Sequence, residues 1–280
     1  MVKITGIKTH INGYGATFNN ANTACPDTTT EAYALDQLNG NSYKVKNYLV
    51  PLLEKFNAKT VLDIGCGVGE MVQRLVEKGF EAYGMDFAGL TKYWSKLKLS
   101  PSNFILVDSV RLDLPFDDDA IDFSYTFGAI EHVGTSNGHA RLMPDYTDIR
   151  KQWLREIFRI TRKGGHILVG GPNRNFPIDV AHNYGLGSNA SQFELLISRF
   201  LKASFHKTWG EYFLWGYKDF KKYLDGFEYK VEPLSIFGFL EYKRVPRFLQ
   251  PLVRYYTKNL PKPLLGTGLN PWVMALIKKL

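Results

Sequence analysis

The segment VLDIGCGVG, residues 61–69, gathers the residues best placed to do chemistry: a carboxylate, Asp63, closing an apolar run, then glycines at 65, 67 and 69 around Cys66. Glycine at such positions lets a chain turn tightly and bring its own N–H groups against a ligand, where any Cβ would intrude. A dinucleotide loop of Gly-x-Gly-x-x-Gly spacing that starts at Gly65 needs its third glycine at 70, and Glu70 stands there. The spacing therefore argues against a pyrophosphate ligand, and no Gly-Lys-Ser/Thr follows to make a nucleoside-triphosphate loop. An adenosine ligand without phosphates and with a cationic amino-acid tail suits the loop better, with Asp63 towards the ammonium. Two more acids end apolar runs downstream, Asp86 after GFEAYGM and Asp108 after NFILV. Singly, each of the three acids reads equally well as a helix cap or a loop carboxylate. Three in succession are harder to obtain from capping, because they fall on the edge where a parallel sheet binds ligands.

These residues need a sheet to hold them. From residue 60 onward, short β-branched apolar runs alternate with stretches of helical period, the pattern of a parallel sheet covered on both faces. Strands are expected at 60–65, 81–86, 103–108, 121–127 and 166–171, with helices at 70–79, 88–99 and 145–165, the last closed by Gly164 and Gly165. Right-handed crossovers would stack these strands into one doubly wound sheet. The rhythm breaks over 172–215 and again over 235–270, read as two insertions, the first with an apolar helical run FELLISRFLKA. Helix, turn and strand resume at 217–234, a final strand is expected at 271–279, and 44–56 reads as a helix packed on the sheet. Residues 1–42, polar and rich in Gly, Asn and Thr, read as an N-terminal arm before a domain of 43–280.

In these features the chain resembles the class I S-adenosylmethionine-dependent methyltransferases, in a form similar to methyltransferase type 11. The resemblance covers about residues 43–234 and the final strand, including LPFDDDAIDFSYTFGAIEHV and WLREIFRITRKGGHILVGGPN. It implies an α/β, Rossmann-like, mostly parallel sheet of seven strands and S-adenosylmethionine as cofactor. Cofactor contacts are then expected from Asp63, Gly65, Cys66 and Gly67 in the loop, from Asp86 and Phe87, from Asp108 and Ser109, and from Phe127. Asp86 falls where the family holds the ribose hydroxyls, and Asp108 with Ser109 where it holds adenine. Cys66 is read as a small filler rather than a nucleophile.

Methyl transfer from a sulfonium is an in-line displacement whose leaving group needs no proton, so the protein supplies alignment and a deprotonated acceptor. An oxygen acceptor wants a general base, and His132, Asp179 and His182 are the candidates on the right edge. For each, a structural hydrogen-bonding role competes. Some relatives hold a divalent metal around a Glu-His pair like Glu131 and His132. Gly128, however, stands where those relatives place a further Glu; His182 or Asp179 would have to complete a site, hydrogen bonding is the favoured reading of these residues, and no metal is assigned.

Composition narrows the setting. The 280 residues, 45% apolar, suffice for a sizeable core, and two cysteines cannot staple a chain of this size. No signal-like or membrane-spanning apolar stretch is present, so an intracellular, cytoplasmic protein is expected. The net charge of +8 resides wholly in residues 201–280, with 14 basic and 6 acidic residues. That asymmetry asks for an anionic substrate or an anionic membrane surface. If both insertions lie over the donor, Phe176, Tyr184, Phe193 and Trp209 of the first and Phe237, Phe239, Phe248, Tyr255 and Tyr256 of the second would make an apolar cleft rimmed by positive charge. A lipid-like, aromatic or anionic small molecule would fit it. The alternatives are a non-catalytic binding or regulatory module and an RNA methyltransferase. Nucleic acid is not expected as a partner, because the core is charge-balanced and holds no separate nucleic-acid module. Nothing in the sequence indicates an oligomeric state.

Overall fold

The computed structural model describes residue 37 and residues 41–86, 91–106, 114–136, 141–179, 181, 196, 204–206, 208, 213–243 and 245–280. Seven strands make one sheet: β1 (Thr60–Ile64), β2 (Glu81–Asp86), β3 (Phe104–Leu106), β4 (Ile121–Phe127), β5 (Thr161–Pro172), β6 (Tyr229–Pro233) and β7 (Trp272–Lys279). Their spatial order is β6-β7-β5-β4-β1-β2-β3. Every neighbouring pair is parallel except those of β7, which runs antiparallel to β5 and β6. The doubly wound, mostly parallel architecture expected from the alternation of elements is the one that forms. Strand order reverses between β1 and β4, and a crevice opens beyond their carboxyl ends.

Burial follows position in the sheet. Central β1 is apolar and buried along VLDI on both faces, whereas edge strand β6 alternates half-buried and exposed residues. A π-helical turn, Val45–Leu49, runs into α1 (Val50–Lys55), and α2 (Glu70–Glu77), α3 (Tyr146–Ile160), α4 (Tyr217–Tyr223) and α5 (Gln250–Asn259) follow. In α3 the buried residues Arg150, Trp153, Leu154, Ile157 and Phe158 recur at helical spacing and form the stripe that meets the sheet. One apolar layer, with Ile64, Trp153, Phe158 and Trp215, lies on one face of the sheet. The other, with Leu53, Val72, Phe123, Tyr125 and Phe239, lies on the opposite face.

The helix expected to run to Gly165 stops at Ile160. Thr161 turns to extended backbone (φ −75°, ψ 128°), and its hydroxyl donates to the Ile157 carbonyl at 2.7 Å. The two glycines belong to a bulge in β5 instead: Ile121 pairs with Thr161, while Phe123 pairs with His166. Gly164 sits at φ +75°, and a Cβ on Gly165 would lie 2.9 Å from the Asp122 carbonyl oxygen. The stretch 88–99, expected as a helix, forms a 3₁₀ segment, Thr91–Lys96, among its described residues. Apart from Leu196, the run FELLISRFLKA lies outside the described residues.

Both insertions leave the sheet at its carboxyl edge, one after β5 and the other after the parallel β6. The first is described at its ends, where Ile178–Asp179 pairs antiparallel with Ser204–Phe205 and Asn173 bridges Trp215. Two buried amides fasten the second. Asn173 Nδ2 donates to the carbonyls of Thr267 and Asn270 at 3.0 and 2.7 Å, and Asn270 Nδ2 donates to those of Leu234 and Leu265 at 3.2 and 3.0 Å. No helix among the described residues is long and apolar enough to cross a membrane.

Candidate active site

Gly65, Gly67 and Gly69 adopt φ of +82°, +54° and +79°, a region side chains rarely enter. Space restricts them as well. A Cβ on Gly65 would lie 2.6 Å from Ala129 Cβ in the turn after β4, and one on Gly69 would lie 2.6 Å from the Phe104 ring. The N–H groups of Gly65 and Cys66 donate to the Met85 carbonyl at 2.9 and 3.0 Å, which ties the loop to β2. Trp94 fixes its outer side: the indole stacks on Phe104 with centroids 4.8 Å apart, and Nε1 donates to the Gly67 carbonyl at 2.8 Å. Asp86, at the end of β2, accepts the Gly67 N–H at 2.5 Å, so its carboxylate and the loop amides share one opening. Cys66 is buried against Gly84, and burial pushes its thiol well above the usual range, which leaves it protonated. Gln37 is a participant with no signal in the sequence. Its Oε1 accepts the Val68 N–H at 3.1 Å, and its side chain covers Gly67.

Asp63 lies on β1, 4% exposed, and burial pushes its carboxyl up to about 8. The neighbouring Tyr125 hydroxyl opposes that rise, the charge of Asp86 adds to it, and Lys44 relieves part of it. A buried carboxyl in this condition gains from a cationic ligand. The crowded glycine loop, the Asp86 carboxylate and Asp63 together suit a nucleoside with an ammonium-bearing tail. The residues present therefore fit S-adenosylmethionine.

Beside the loop an aromatic wall continues along the edge. Tyr125 and Phe127, at the end of β4, stack at 5.2 Å; Phe127 meets Phe239 at 4.6 Å, and Phe239 meets Trp272 at 6.3 Å. Phe239 comes from the second insertion, Trp272 from the start of β7. His132 ends a 3₁₀ turn, Ile130–His132, directly after β4. Its neighbour Glu131 is 1% exposed and packs on β5, where a Cβ on Gly171 would lie 3.0 Å from Glu131 Oε2. Buried Arg150 of α3 holds this turn: Nε donates to the Val133 carbonyl at 2.8 Å, and Nη2 to the carbonyls of Glu131 and Phe213 at 3.2 and 2.7 Å.

The carboxyl edge thus brings together Asp63, Gly65, Cys66, Gly67, Asp86 and Phe127, with His132 on the adjoining turn. Asp179 is buried at the base of the first insertion, where its Oδ1 accepts the Ala181 N–H at 2.7 Å. Phe87, Asp108, Ser109 and His182 lie outside the described residues, as do Tyr184, Phe193 and Trp209. Among the described residues no cluster of three or more His, Cys, Asp or Glu side chains could hold a metal ion. A groove of about 390 Å³ lined by Phe56, His166, Lys230, Glu232 and Lys278 shares no residue with this edge.

A mostly parallel sheet with a glycine loop after its first strand and an antiparallel seventh strand has the Rossmann-like methyltransferase fold. Residues 62–169 match the family model described as a methyltransferase domain. The chain thus carries a methyltransferase domain over those residues; it is an enzyme, with S-adenosylmethionine as methyl donor. The chain is similar to a SAM-dependent methyltransferase from Archaeoglobus fulgidus, with 18% identity, 89% of this chain and 99% of that one covered, and a TM-score of 0.44. The methyltransferase domain of bacterial CtHen1 shows 20% identity, coverage of 85% and 98%, and a TM-score of 0.48. An S-adenosylmethionine-dependent methyltransferase from Mesorhizobium loti shows 14% identity, coverage of 82% and 96%, and a TM-score of 0.42. No curated protein matches the chain in sequence.

Proposed function

We propose that the enzyme methylates an oxygen of a small lipid-like or aromatic acceptor, with His132 as the base that removes the acceptor's proton. The observation that carries this reading is the row of aromatic rings Phe127, Phe239 and Trp272, in which Phe127, at the end of β4, is half-buried and the other two are packed behind it. When bound, S-adenosylmethionine supplies an electrophilic methyl group. Asp63 and Asp86 hold the donor's ammonium and ribose, the side-chain-free backbone of the glycine loop gives it close seating, and the wall excludes water from the acceptor side.

The test is transfer of radiolabelled methyl from the donor into a cell extract, followed by separation into organic and aqueous fractions. Label is expected in a small molecule of the organic fraction. Label in RNA instead would sink the acceptor assignment while leaving donor binding intact. Isothermal titration checks the donor half separately, and failure of the folded protein to bind S-adenosylmethionine would remove the catalytic reading altogether.

A further inference from the structure

The aromatic residues of the second insertion divide. Phe239 is buried in the wall of the site, whereas Phe248, Leu252 and Tyr255 are 70%, 64% and 70% exposed. These three sit at i, i+4 and i+7 along the turn that leads into α5 and along α5 itself, so they share one face. The helix rests on the body through its other face: Thr257 is its one buried residue, and the Thr257 carbonyl accepts a hydrogen bond from Ser235 Oγ at 2.8 Å. A contiguous apolar ridge left in water marks a surface with a partner.

Charge says which partner. From Tyr242 to the end of the chain there are eight basic residues and no acidic one. Arg254 is tied down, donating to the Glu241 carbonyl at 2.8 Å, but Lys258 on α5 and Arg247 and Lys262 in the segments flanking it are exposed. A short helix with an apolar ridge between cations lies in the plane of an anionic interface and does not span it.

We propose that α5 and its preceding turn dock the enzyme on a bilayer containing anionic lipids, with Phe248, Leu252 and Tyr255 entering the boundary between headgroups and acyl chains and Arg247, Lys258 and Lys262 on lipid phosphates. Docking concerns the outer face of the insertion, goes beyond the proposed acceptor and does not rest on it. The two features are nonetheless joined. Phe239 and α5 belong to one insertion, braced by the hydrogen bond between the Tyr242 and Thr257 hydroxyls at 2.5 Å, so a docked helix brings the aromatic wall to the lipid surface.

The experiment is co-sedimentation of the full chain with vesicles of phosphatidylcholine alone and of phosphatidylcholine mixed with phosphatidylglycerol, without donor or acceptor. Partition into the mixed vesicles is expected, with release by salt. A triple variant, Phe248→Ser, Leu252→Ser and Tyr255→Ser, should partition about a hundredfold less. Arg247→Glu with Lys262→Glu should lower partition about tenfold or more. Each changed side chain is exposed, so thermal midpoint and donor affinity should stay at the parent values and certify the fold. Equal partition of the triple variant and the parent, or no partition of the parent into anionic vesicles, overturns the proposal. So does a parent dimer in light scattering that the triple variant loses, because the ridge then belongs to a second copy. Neither readout involves methyl transfer, so failure here leaves the acceptor reading standing.

Discussion

The half of the sheet assigned to the donor and the half assigned to the acceptor differ in how much of each is written in one short segment of sequence. Around the donor, five consecutive residues, Gly65 to Gly69, supply the loop, and Met85 and Asp86 at the neighbouring strand end complete it. Around the acceptor, Arg150 reaches a carbonyl 63 residues away, and Asn173 one that is 97 residues away. A ligand seated against the backbone of one tight turn is specified by residue types close in sequence. A ligand held by side chains can draw on any segment that the fold delivers to the edge.

That contrast predicts that the two halves fail separately. The largest expected effect is on turnover: His132→Ala should lower kcat by about a hundredfold or more with unchanged donor affinity, measured by single-turnover kinetics and titration. Unchanged kcat would remove His132 as the base. Arg150→Met comes next. It deprives three carbonyls of their donor in a buried place, which should cost about 3 kcal/mol or more of stability, seen in denaturant midpoints. Below the transition, donor affinity should stay within about twofold of the parent. A parallel fall in donor affinity would show that the halves are coupled through α3 and break the comparison. Asp86→Ala tests the opposite half. Losing a charged acceptor for the ribose should weaken donor binding by about a hundredfold, with little change in thermal midpoint.

Residues on the donor side were legible because each constraint restricts the residue type at its own position. Positive φ and crowding at Gly65 and Gly69 restrict those positions to one residue type, and the acids follow at strand ends. The limit of that legibility is seen at Gly164 and Gly165. A helix stop and a β-bulge both call for paired glycines, and only the pairing of β4 with β5 decides between them. Trp94 and Gln37 escaped for another reason. One lies in a stretch of helical period that forms 3₁₀ turns, the other within the segment read as a polar arm, and neither position carries a pattern pointing at the loop. On the acceptor side, the aromatics of 235–270 were visible but their sides were not. Phe239 and Phe248 are the same residue type in the same insertion, and only packing on β7 separates the buried ring from the exposed one.

The finest test of the donor half uses pH. In the donor-free protein Asp63 is pushed up to about 8 from an ordinary value of 3.8, so between those values the folded chain keeps a proton that the unfolded chain has lost. Stability without donor should therefore fall as pH rises through that window, by at most about 1.4 kcal/mol per pH unit. An ammonium beside Asp63 favours the carboxylate. Below about pH 8, donor binding should therefore release a proton, and affinity should climb up to about tenfold per unit. Above that, the donor's own α-amino group, with an ordinary pKa of about 8, loses its charge and affinity should decline again. Calorimetric titration at neutral pH in two buffers of different ionisation heat counts the proton directly. Release of close to one proton is expected, and Asp63→Asn should abolish it together with the pH slope of stability. Release of less than about half a proton would mean that Asp63 does not face the ammonium, and would take the donor's tail away from β1.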